Sequence, residues 1–271
     1  MDPAASVPAS VTDGPLPVRV VPGEHAKIAV LSDVHGNVPA FAAALTEIAE
    51  ADVEGVAILG DLTWGPQPVE ILAMVDSLGM PAWCNRGNAE RALIDMASGD
   101  RPTERPVDQW MIDTHRPDGV AALTAFAHST SVEVGAIGSI RFCHGSPRSD
   151  IELLTPATSA AQLAEVTKGV SERTIAHGHT HLQYQRVVGE HTVFGPGSVG
   201  IPYGTEGRPG ARWALVTDAI ELRVSEYDIE ESIEIARSVG YPGLANYEKY
   251  LRTPLTLGDI VEEARIHPFS D

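Results

Sequence analysis

Residues 28–40 read IAVLSDVHGNVPA. The first five, IAVLS, form an apolar run rich in strand formers, and a helical pattern starts at Val38 with Pro39 in its first turn, leaving DVHGN as a polar loop between them. The order is strand, loop, helix. It recurs downstream, where VAIL at 56–59 enters the loop GDLTWGPQP and then the helical run VEILAMVDSL, and where a third strand, PAWC, ends in the loop NRGN. Alternation of this kind predicts an α/β fold with a largely parallel sheet covered on both faces. Ligands bind such sheets in the loops at the carboxyl ends of the strands.

Working outward, the segment of about residues 90–128 is helical in pattern but punctuated by Gly99, Pro102, Pro106 and Pro117, which predicts a helical insertion placed to cap a site. Strand patterns return at VEV, SIRFCH and RTIAHG, with a helix from about Ala157 to Lys168 before the last of these. Closely spaced strands at QYQRVV, HTVF, ARWALVTD and IELRVSEYD predict antiparallel hairpins, and two or three helices follow. Residues 1–23, with scattered prolines and no apolar core, read as a flexible tail, and 24–271 as one domain.

Lys and Arg number 19 against 37 Asp and Glu, a formal charge of −18 that argues against a large nucleic-acid or anionic-membrane surface. An anionic substrate therefore needs a local positive focus. The two cysteines, Cys84 and Cys143, form no disulfide framework, so a cytoplasmic location is expected. No stretch approaches the roughly 20 apolar residues of a membrane span. A homo-oligomer is left open.

The polar residues after each strand are Asp33 and His35, then Asp61, Asn88, His144, and His179 with His181. Mixed carboxylate, amide and imidazole donors suit divalent ions such as Mn, Fe, Zn, Ni or Co. Any one of these residues alone reads as a turn or cap, but together they exceed what a single tetrahedral ion needs. If Asp61 bridges, two ions each receive four protein ligands. GPGSVG at 195–200 fits a dinucleotide glycine pattern, yet Pro202 stands where the phosphate-binding helix should open, which excludes a Rossmann cofactor.

The ordered series DVHGN (33–37), GD (60–61), RGNAE (86–90), CHGS (143–146), GHTH (178–181) and PGSVG (196–200) resembles the calcineurin-like metallophosphoesterase superfamily, and most of all its small bacterial and archaeal phosphodiesterase branch. The resemblance runs from about residue 27 to about 230. It implies a four-layer αββα sandwich of mixed sheets around a dinuclear centre. In that centre Asp33, His35 and His181 would hold one ion, Asn88, His144 and His179 the other, and Asp61 would bridge them. Two divalent ions, manganese foremost, with two carboxylates and a bridging hydroxide leave a charge of roughly +1, which attracts a phosphoryl group. The hydroxide is then the expected nucleophile for a small organic phosphate.

Arg86 and Asn37 are the expected substrate contacts, with Arg148 a weaker one. Many superfamily members resemble one another in having GNH followed by an acid, whereas here Ala89 follows Asn88. The missing imidazole removes a proton donor to the leaving group and leaves Glu90 without the partner it would orient, so diesters are the favoured substrates. A phosphomonoesterase acting on a nucleotide or phosphoprotein, and a catalytically weak metal-binding regulator, are the competing readings.

Overall fold

Four consecutive apolar side chains stay dry only where both faces of a strand are covered, and Ile28, Ala29, Val30 and Leu31 are all fully buried. In the computed structural model, which describes residues 12, 14–205 and 207–270, these four make strand β2. The preceding strand β1 is Val18–His25. Then come β3 (Val56–Ile58), β4 (Ala82–Cys84), β5 (Ser129–Val134), β6 (Gly138–Cys143) and β7 (Thr174–His177). Two hairpins complete the set: β8 (Gln183–Val188) with β9 (His191–Pro196), and β10 (Ala211–Val216) with β11 (Ile220–Ser225). Helices are α1 (Val38–Glu50), α2 (Pro68–Asp76), α3 (Asn88–Ser98), α4 (Pro106–Thr124) and α5 (Ala160–Val166). Three more close the chain: α6 (Ile229–Ser238), α7 (Leu244–Arg252) and α8 (Leu257–Ile266).

Two mixed sheets result, one ordered β1-β5-β6-β7-β9-β8 and the other β11-β10-β2-β3-β4. In the second, β2, β3 and β4 are parallel, as the strand-loop-helix repeat predicts, and β10 joins antiparallel to β2. Side chains alternate across a strand, so one strand feeds two cores. Ala29, Leu31, Val56 and Ile58 pack against Phe41, Ala44 and Ile48 of α1 and Ile71 of α2. Val30, Ala57 and Leu59 point the other way, onto Val132, Phe142, Ala176 and Phe194 of the six-stranded sheet. The second face of the parallel sheet is thus covered by another sheet and not by helices. An all-apolar strand demands a cover without specifying what it is, and the result is the αββα sandwich.

The helical insertion is tied into the rest of the fold. Residues 90–128 do form α3 and α4, with Gly99 in a left-handed cap after α3, Pro106 opening α4, and a break at Arg116 before Pro117. Leu93, Met111 and Leu123 share a core with Ile233, Ala236, Tyr247 and Leu251 of α6 and α7.

The tail expectation is corrected. Residues 1–11 and 13 lie outside the described part, but Val18–Gly23 belong to β1, which pairs in parallel with β5. Leu16 also donates to the Pro147 carbonyl at 2.7 Å. The alternation is weak because Val18 and Val20 face outward and only Val21 is buried, so backbone pairing defines this strand. A chain beginning at Lys27 is expected to melt lower and to aggregate through the bared β5 edge. An unchanged melting temperature and a monodisperse elution profile would return these residues to the status of a tail.

Candidate metal centre

The loops after β2, β3, β4, β6 and β7 carry Asp33 and His35, Asp61, Asn88, His144, and His179 with His181. The fold brings all seven together. Asp33, His35 and His181 form one group, and Asp61, His144 and His179 a second, with the donor atoms of each within 4.8 Å of one another. Asn88 joins the second group through its Oδ1, which lies 2.9 Å from His144 Nε2. Each group takes donors from both sheets.

Asp61 stands between the groups. Its Oδ1 is 3.4 Å from His144 Nε2 and its Oδ2 is 3.9 Å from His35 Nε2.

Backbone strain concentrates here. Among the described residues seven non-glycine positions have positive φ, and five of these are Asp33, His35, Asp61, His179 and His181. Each costs about 1 kcal/mol or more relative to ordinary backbone, which the surrounding packing must hold. Gly60 shows how close the turns run. It has φ 113°, and a β-carbon there would sit 2.7 Å from both the Gly87 nitrogen and His144 Nδ1.

Backbone carbonyls fix the rings. His35 Nδ1 faces the Trp64 carbonyl at 3.1 Å, His144 Nδ1 the Leu59 carbonyl at 2.9 Å, and His181 Nδ1 the Ile201 carbonyl at 2.6 Å. A carbonyl only accepts, so each Nδ1 carries a proton and each Nε2 is turned inward, where His144 Nε2 meets Asn88 Oδ1 at 2.9 Å and His181 Nε2 meets Asp33 Oδ1 at 3.3 Å. The Nε2 atoms of His35 and His181 face each other at 3.1 Å, with Asp33 Oδ1 3.9 Å from the first and 3.3 Å from the second. Imidazole nitrogens and carboxylate oxygens that converge in this way are the donors borderline divalent ions prefer, so the residues present fit divalent metal.

Burial pushes the His35 imidazole down to about 4, aided by His181, and the His179 imidazole to about 3. Burial opposes the charge on Asp33, but His181, His144 and His35 outweigh it and hold that carboxyl below the usual range. Asp61 is shifted the other way, by burial first and then, against the pull of His144, by the Asp33 charge.

The expected substrate contacts divide. Asn37 is fully buried as the N-cap of α1: its Oδ1 accepts from the Ala40 N–H and the Ser232 hydroxyl, and its Nδ2 donates to the Gly200 carbonyl at 2.9 Å. It is therefore a fastener of the fold and not a substrate contact. The signal was an Asn directly before a helix start. Arg148 is also occupied, paired through two nitrogens with Glu152 at 3.0 and 2.6 Å. Arg86 is half-buried, and its guanidinium rests on the His128 ring at 2.9 Å instead of on Glu90.

Glu90 has a task that the sequence reading did not give it. Buried in the first turn of α3, its carboxylate accepts the backbone N–H groups of Gly87, Asp61 and Leu62, each at 2.8 Å. Tyr203, also not anticipated, stacks on His181 with centroids 4.6 Å apart. Its place just after the PGSVG loop was the available hint. His177 is buried against the Tyr184 hydroxyl and takes no part in either donor group.

Similarity to known proteins agrees with this geometry. The family model described as the calcineurin-like phosphoesterase superfamily domain matches residues 26–217. A hypothetical protein from Pyrococcus horikoshii OT3 superposes with a TM-score of 0.72 at 19% identity, covering 88% of this chain and all (100%) of its own. A metallophosphoesterase from Sphaerobacter thermophilus gives a TM-score of 0.64 at 21% identity, covering 84% of this chain and 100% of its own. At such identities the likeness is one of fold. No curated protein matches the chain. The family match spans well over half of the chain and contains every one of the seven clustered residues, and on that ground the chain belongs to the calcineurin-like phosphoesterase superfamily of metal-dependent phosphoric ester hydrolases.

Proposed function

We propose that the chain is a dinuclear phosphoesterase for small organic phosphates that favours diesters over monoesters. The observation that carries the dinuclear reading is Asp61, whose two oxygens face different donor groups. Asp33, His35 and His181 would hold one ion, Asn88, His144 and His179 the other, and Asp61 both. When bound, such a pair supplies Lewis acidity toward the phosphoryl oxygens and a water activated at neutral pH; manganese is the first choice.

The chain's own residues prepare that chemistry. Carbonyl partners hold Nδ1 of three rings and aim their Nε2 atoms inward, toward where an ion would sit. Arg86 is assigned to a non-bridging phosphate oxygen, with the His128 ring steadying its guanidinium. Burial, and then the Arg86 charge, push the His128 imidazole down, so it remains a neutral acceptor for that guanidinium. Arg86→Ala should lower kcat/KM by about tenfold or more, the worth of one charge-assisted hydrogen bond. Metal content by elemental analysis should not change. Unaltered kinetics would leave Arg86 with a purely structural contact to His128.

Ala89 supports the diester preference. It occupies the position after Asn88 in the first turn of α3, with its N–H donated to Asp61 Oδ1 at 3.0 Å, and its methyl group can neither donate a proton nor crowd a second ester substituent. Matched aryl mono- and diesters assayed with added manganese test this directly. The diester should react faster, with a steep dependence on leaving-group pKa, because an imidazole acid worth about 10²- to 10⁴-fold is missing. A higher kcat/KM for the monoester would transfer the assignment to a phosphomonoesterase.

A further inference from the structure

His179 is held differently from the other three imidazoles. Its carbonyl partner lies on Nε2 and not on Nδ1, and it is the backbone oxygen of Ser270 at 2.9 Å. Nε2 therefore carries the proton, and Nδ1 is the only lone pair the ring has left to offer. Ser270 reaches this position because the segment Pro268–Ser270 runs along the loop after β6. The Leu153 N–H donates to the Pro268 carbonyl at 2.9 Å, the Ser270 N–H donates to the Ile151 carbonyl at 3.0 Å, and Phe269 forms an antiparallel bridge with Glu152. Glu152 is itself fixed, accepting from the Ser146 hydroxyl at 2.6 Å and from both Arg148 nitrogens. That loop begins at His144. One loop thus supplies a ring of the second donor group and anchors the segment that orients the other. His179 and Ser270 also line an open cavity of about 530 Å³ together with residues of α8.

We infer that residues 268–270 act as a positioning strap for His179 and so set the affinity of the Asp61, Asn88, His144 and His179 group for its ion. The inference rests on the ligand role proposed for His179. Loss of the hydrogen-bond partner of a metal-binding imidazole typically costs about 10- to 100-fold in affinity. Among the described residues the strap makes no hydrogen bond to the side chains of Asp33, His35 or His181, so the other group should be affected much less.

Zinc titration by calorimetry, with imidazole nitrogen NMR of the zinc-loaded protein, tests this on four proteins: the full chain, a chain lacking residues 267–271, Ser270→Pro and His179→Ala. Ser270→Pro keeps the carbonyl but cannot donate to Ile151, so it loosens the strap without removing it and serves if the shortened chain fails to fold. In the full chain, two zinc sites and a His179 ring protonated at Nε2 are expected. In the shortened chain one site should weaken about 10- to 100-fold with the other unchanged, while the His179 ring samples both tautomers; Ser270→Pro should fall between. Equal weakening of both sites would mean that the segment only stabilises the fold and would overturn the inference. Unchanged affinities in both strap variants, with one ion lost in His179→Ala, would overturn the strap and leave the ligand assignment standing. Retention of both ions in His179→Ala would remove the assignment and the strap with it.

Discussion

Asp61→Asn is expected to empty both metal sites together and to slow phosphoester hydrolysis by about 10³-fold or more, since metal-ion stabilisation of the transition state is worth several kcal/mol. The choice of asparagine separates charge from shape. An amide oxygen can still accept the Ala89 N–H, now held at 3.0 Å, so the start of α3 should survive. What is lost is a second anionic oxygen, and the two oxygens of Asp61 face different imidazoles, His144 and His35. Metal stoichiometry and kcat measured on one preparation decide the matter. Loss of one ion with the other retained would assign Asp61 to a single site and end its bridging role.

Glu90→Ala should be the most destabilising single change away from the ligands themselves. It strips three buried N–H groups, those of Gly87, Asp61 and Leu62, of their acceptor. Each unsatisfied buried donor costs about 1–3 kcal/mol, so a loss of about 3 kcal/mol or more is expected, and with it a fall of roughly 6–12 °C in Tm. Two of the three groups belong to the loop that turns Asp61 into its left-handed conformation, so metal affinity should fall as well. Glu90→Gln restores one acceptor but points an amide N–H at a neighbouring donor, and it should lie between the parent and the alanine variant. Thermal melting of the metal-free proteins measures the first effect and metal titration the second. A Tm within a degree or so of the parent would show that water replaces the carboxylate without penalty.

The sequence was most legible where chemistry and chain direction coincide. Each donor follows a strand within four residues, and parallel strands of the same sandwich end at the same edge, so Asp33, His35, Asp61, Asn88, His144, His179 and His181 could be grouped from the sequence alone. Proline and glycine also acted as local signals: Gly99, Pro106 and Pro117 mark the ends and the break of α3 and α4. Features that depend on distant backbone were not readable. The carbonyls of Trp64, Leu59, Ile201 and Ser270 that orient the rings have no side-chain signature. Asn37 misled because one residue type serves both as helix cap and as ligand contact, and only its burial separates the two. Strand β1 was missed because exposed Val18 and Val20 carry no inward alternation.

The crossing of donors between sheets has a mechanical consequence. Ions held by Asp33, His35 and His181, or by Asp61, Asn88, His144 and His179, would act as rivets through the open edge of the sandwich, with Val30, Leu59, Phe142 and Phe194 as the pressed layer behind them. A slide of one sheet over the other, the softest motion for two flat surfaces joined by apolar contacts alone, would stretch both coordination spheres at once. The reacting geometry would then inherit the stiffness of the whole molecule. Chelation should accordingly be felt far from the centre, as faster amide exchange in β5 and β10, strands that contribute no donor of their own.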